Sequence, residues 1–89
     1  MRFLCFGIVP EGQQRYRLLS GSVVVASGLD RLKAIRMVLK HVRQAALKGP
    51  VAIQLRGISG EEELQDRLAE ARAGWPVPAW WQNCEWHLS

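Results

Sequence analysis

The sequence predicts an α+β fold: a small mixed sheet and two helices in the order βββαβα, with a last strand possible near the end. Three observations carry this. Residues 3–9 are an unbroken apolar run, residues 31–48 repeat apolar side chains at helical spacing, and residues 51–55 alternate apolar and small or polar ones. With 89 residues and 48% hydrophobic content the chain has the size of one domain and leaves no room for a second core.

The elements follow in order. Phe3-Leu4-Cys5-Phe6-Gly7-Ile8-Val9 suits a strand buried on both faces and central in its sheet. Pro10-Glu11-Gly12-Gln13-Gln14 turns the chain. Tyr16 and Leu18 then alternate with Arg15 and Arg17, as in a strand with one wet face. Ser20-Gly21-Ser22 admits two readings. As a tight turn it makes a three-strand meander with Val23-Val24-Val25; as a bulge it leaves one long strand and a single hairpin.

Gly28-Leu29-Asp30 introduces the first helix, with Asp30 as its N-cap, and Gly49-Pro50 ends it. Ile35, Val38, Leu39, Val42 and Ala46 fall on one stripe, Lys33, Arg36, Lys40 and Arg43 on another. Val51-Ala52-Ile53-Gln54-Leu55-Arg56 is the next strand, parallel to an earlier one because the helix is a crossover. Ser59 with Glu62 forms a capping box for a second helix over Gly60–Ala73, whose thin stripe of Leu64, Leu68 and Ala71 places it at the edge of the core. The domain is thus expected over residues 1–74, with a Trp/Pro-rich tail, 75–89, packed on it and offering Gln82–Leu88 as a final strand.

Charge is distributed unevenly. Residues 1–30 sum to +1, residues 31–60 to +7 and residues 61–89 to −4. Six of the twelve basic side chains lie between Arg31 and Lys48, a stretch with no acid. Ordinary solvated helix faces mix signs and gain i to i+4 ion pairs, which this one forgoes. The stripe of Lys33, Arg36, Lys40 and Arg43 is therefore a candidate contact for something negative, either an acidic protein surface or a phosphate backbone read without sequence preference.

The four tryptophans lie in the last fifteen residues. One reading makes the tail a lid on a small core. The other notes that Trp80 and Trp81 are adjacent, so an extended chain would leave one of them exposed as an interface anchor. The tail's only charge is Glu85, which favours protein association over base stacking.

Other chemistries find little support. Cys84 and His87 make half of a metal site, with only Cys5 and His41 elsewhere to complete it. Ser59 in Gly57-Ile58-Ser59-Gly60 lacks the esterase spacing, and the acids Glu61-Glu62-Glu63 suit the positive end of a helix. No cofactor, metal or small-molecule substrate is indicated. No apolar run approaches the roughly 20 residues of a membrane span, and the apolar start lacks a small-residue cleavage site, so a cytoplasmic protein with two free thiols is expected.

The element order resembles the front of the ribonuclease H-like fold over nearly the whole chain, although a ββαβ-type domain of another family shares the pattern. That family places carboxylates in the middle of the first strand, one turn into the first helix and at the end of the fourth strand, where they hold two divalent metals. The matching stretches here are Cys5-Phe6-Gly7, Lys33-Ala34-Ile35 and Arg56-Gly57, none with an acid. The resemblance thus implies a version without catalytic metals. The expectation is a non-enzymatic binding or regulatory protein that docks on a protein partner or pairs as a homodimer, through Lys33, Arg36, Lys40, Arg43, Trp80 and Trp81. Its rival is a nucleic-acid accessory module.

Overall fold

The computed structural model describes residues 1–64 and 78–89. Strands β1 (Arg2–Gly12), β2 (Arg15–Ser20) and β3 (Val23–Leu29) are followed by helix α1 (Arg31–Ala46) and β4 (Val51–Arg56). A 3-10 helix (Ala79–Asn83) then leads into β5 (Cys84–Leu88). The strands form one sheet in the order β3-β2-β1-β4-β5. Antiparallel pairing joins β1 to β2 and β2 to β3, and parallel pairing joins β1 to β4 and β4 to β5. This is the mixed α+β sheet expected, with the parallel strand placed after the crossover helix.

The first three strands form the meander. Gly21 supplies the positive φ (62°) that the turn between β2 and β3 requires, and its N–H donates to the Cys5 carbonyl at 2.8 Å. β1 runs farther than expected, to Gly12, because the register shifts between Pro10 and Gly12 and a bulge absorbs Glu11. β3 likewise reaches Leu29, with register shifts opposite Tyr16 and Leu18.

Alternation along each strand sorts the sheet into two faces. Leu4, Phe6 and Ile8 of β1 pair with Ile53, Leu55 and Leu18 on the face that α1 covers, and Trp86 and Leu88 continue it on β5. From the helix, Ala34, Ile35, Val38, Val42 and Ala46 are fully buried against them. Each large aliphatic side chain buried this way contributes about 1.5–3 kcal/mol. The whole tail stretch Cys84–Leu88 is a strand of the sheet, not a cover laid over it.

The expectation that β1 is buried on both faces is corrected. β1 is the central strand, but α1 and the 3-10 helix pack on the same face. On the other face Phe3 is 77% exposed, and Cys5 and Val9 are exposed as well. The thinnest dimension, 19 Å, is that of one sheet and one helical layer.

The second helix opens at residues 61–64 with Leu64 fully buried. Its capping partner is Glu63, not Glu62: the Ser59 N–H and hydroxyl donate to Glu63 Oε2 at 3.2 and 3.0 Å. The helix begins one residue later than the capping-box spacing implied, which brings Glu63 to the reach of Ser59. Leu68, Ala71 and Trp75 lie outside the described residues.

Candidate binding surface

α1 is held at its start by Asp30, whose Oδ1 accepts from the Lys33 N–H at 2.8 Å. At 100° per residue, Lys33, Arg36, Lys40 and Arg43 stand opposite the buried stripe, and all four are exposed. Among the described residues none of them forms an ion pair. Arg36 with Lys40, and Lys40 with Arg43, are like charges at helical-neighbour spacing, each pair unfavourable by about 0.2–0.5 kcal/mol. The first turn has no acid, and only Arg43 lies where the helix dipole favours a cation. The stripe is therefore a cost to the isolated helix that a negative partner would offset.

Arg31 belongs to the same basic run but has another task. Its guanidinium grips Glu63, donates from Nη2 to the Gly57 carbonyl at 2.8 Å, and lies 5.4 Å from the centre of the Tyr16 ring. It ties the start of α1 to the end of β4 and to the second helix. Its hydrogen bond holds the Glu63 carboxyl at about 2, well below the usual carboxylate range.

The tryptophans are placed differently from the exposed-anchor reading. Trp80 and Trp81 are each only 8% exposed. The chain there is a 3-10 helix, in which successive side chains are about 120° apart, so both reach the core where an extended strand would have sent one outward. The Trp80, Trp81 and Trp86 rings form a tilted series with centroids 5.6 and 5.0 Å apart. Asn83 Nδ2 donates to the Ala46 carbonyl at 2.7 Å, fastening this lid to the end of α1. The structure brings Lys33, Arg36, Lys40 and Arg43 together on one surface and leaves Trp80 and Trp81 beneath another.

The remaining candidates separate. Cys84 faces the core and His87 the open face, because they are three positions apart on one strand. Burial pushes the Cys84 thiol up to about 11, and its Sγ lies 3.7 Å from the Trp80 carbonyl. His87 Nε2 lies 3.1 Å from Glu85 Oε1. His41 lies on one flank of α1, between its charged and buried faces, with its ring stacked 5.9 Å from that of Phe6. No group of three or more His, Cys, Asp or Glu side chains suited to a metal occurs among the described residues.

The sheet face opposite α1, where Phe3, Cys5, Gly7, Leu19 and Val24 lie among Arg56, Gln54, Glu85 and His87, is not among the surfaces expected from the sequence. The signal was present: an apolar run on both faces of β1, but a crossover helix able to cover only one. No helix among the described residues is long and apolar enough to cross a membrane. Comparison with family models, curated proteins and solved structures finds no match to this chain.

Proposed function

We propose that this is a non-enzymatic binding protein that docks on an acidic protein surface through Lys33, Arg36, Lys40 and Arg43. The observation that carries the reading is the outward crown of four like charges, exposed and without an ion pair among the described residues. Such an arrangement speeds encounter with a negative partner and discriminates against positive ones. Burial of Trp80 and Trp81 leaves no Trp, Tyr or Phe ring on α1's crown, so among the described residues no base-stacking platform stands beside the charges. That favours protein over nucleic acid.

The resemblance to the ribonuclease H-like fold supports the non-enzymatic half of this reading. Where that family gathers carboxylates, this chain has Cys5 to Gly7 on β1, Lys33 on α1 and Arg56 at the end of β4. Cationic groups at two of these positions oppose a divalent metal.

The test is light-scattering mass after size exclusion, with and without mixed single- and double-stranded oligonucleotide, at low and physiological salt. The reading expects no co-elution at physiological salt. A salt-sensitive complex that disappears when Arg36, Lys40 and Arg43 are together replaced by glutamine would instead establish the nucleic-acid module.

A further inference from the structure

The open face of the sheet has a geometry that complements itself. Cys5, Gln54 and His87 form a row across β1, β4 and β5. On one side of this row stand Phe3, Ala52 and Glu85; on the other stand Leu19, Gly7 and Arg56, with Val24 extending that row onto β3. Each flanking row is two residues, about 6.6 Å, from the central one.

The two flanking rows differ in shape and in sign. Phe3 projects, with 77% of its surface exposed. Gly7 is a gap: a Cβ placed there would meet nothing within 4 Å, and the depression around it, bordered by Val9, Leu19 and Arg56, measures about 300 Å³. Glu85 lies on the Phe3 side and Arg56 on the Gly7 side, one strand apart.

We propose that this face binds a second copy of the chain, about a two-fold axis running along the Cys5–Gln54–His87 row. That operation seats Phe3 of each copy in the Gly7 depression of the other. It also brings each Glu85 within one strand spacing, about 4.8 Å laterally, of the other copy's Arg56, within reach of a long arginine side chain. Every contact occurs twice, as an isologous interface requires.

The face spans about five strands and four rows, roughly 24 Å on a side, so the pair buries about 1,000–1,200 Å² in all, at the lower end for specific association. Both signs occur on the face, with Glu85 among its apolar residues, which suits a self-complementary surface better than a polyanion or an anionic membrane. The basic crown of α1 lies on the far side of the molecule, so the dimer would present two crowns pointing away from each other. This surface does not depend on the docking role of α1.

Sedimentation equilibrium over about 10–500 µM, a range matched to micromolar affinity, tests the proposal. The wild type is expected to reach twice the 10.1 kDa chain mass. Phe3→Ser removes the projection and Gly7→Leu fills the gap, and each is expected to weaken the dimer at least about tenfold, with circular dichroism unchanged. Glu85→Arg and Arg56→Glu each weaken it, and their combination restores it. The Arg36, Lys40 and Arg43 to glutamine variant dimerises as the wild type does, which separates failure here from failure of the docking role. A wild type that stays monomeric, a dimer that survives both Phe3→Ser and Gly7→Leu, or a charge swap that fails to restore association overturns the proposal.

Discussion

The Arg31 guanidinium and the Glu63 carboxylate meet in a two-pronged pair, with Nε 2.5 Å from Oε1 and Nη2 3.0 Å from Oε2. Residues thirty-two positions apart are thereby fixed at the corner where α1, β4 and the second helix meet. The pair is partly open to solvent, with side-chain exposures of 31% and 17%.

Its consequence is a defined acid sensitivity. Glu63 titrates at about 2 when folded against 4.5 ordinarily. A lowered carboxylate pKa gives stability that is fully present above about 4.5 and is lost as pH falls toward 2. The shift corresponds to about 3 kcal/mol, which screening at this partly open site reduces to about 1–2 kcal/mol. Urea unfolding at pH 6 and pH 3 should show Glu63→Gln less stable than wild type at pH 6, with most of that difference gone at pH 3. An equal difference at both values would show that the ion pair is not the cause.

Gly57 ends β4 with φ at 88°, and a Cβ there would lie 2.1 Å from the Ile8 carbonyl oxygen. Its N–H also donates to the Ser89 carbonyl at 2.9 Å. Gly57→Ala is expected to cost about 2–4 kcal/mol, from left-handed strain and displacement of β1. Thermal unfolding measures this, and a melting temperature unchanged from wild type would rule out the close approach.

Trp81 touches both neighbouring indoles from within the lid. Trp81→Ala should therefore destabilise the fold by about 3–5 kcal/mol, without abolishing partner binding in the fraction that remains folded. Denaturant titration followed by circular dichroism supplies the number. A cost below about 1 kcal/mol would fit a surface anchor instead.

The two thiols should react at very different rates. Cys5 is exposed on the open face, whereas Cys84 is partly buried with its thiol raised to about 11. Ellman's reagent at pH 8, with the protein at about 1 µM and so below the range in which the open face pairs, should therefore label Cys5 first, with Cys84 following only on unfolding. Equal rates in the native protein would contradict the burial of Cys84.

Much of the architecture was legible because it rests on local rules. Asp30 capped α1, Gly21 marked a turn, and the alternation from Val51 to Leu55 set a strand whose partner followed from the crossover helix. What escaped depended on how elements met in space. Whether β1 was covered on both faces could not be read from its own residues, since that depends on where α1 and the 3-10 helix pack. The exposed-anchor reading of Trp80 and Trp81 assumed an extended chain, and one turn of 3-10 helix reversed its outcome. Glu63 replaced Glu62 at the cap because helix boundaries shift easily by a residue. The basic crown was legible in full, since helical periodicity alone places Lys33, Arg36, Lys40 and Arg43 opposite the buried stripe.

The docking role of that crown is tested most directly by placing a photo-crosslinking amino acid at Lys40 and irradiating intact cells. A nuclease-resistant protein adduct is expected, lost when Arg36 and Arg43 are changed to glutamine and absent with the crosslinker at Gln82. An adduct destroyed by nuclease, or one indifferent to those two arginines, would contradict the docking role.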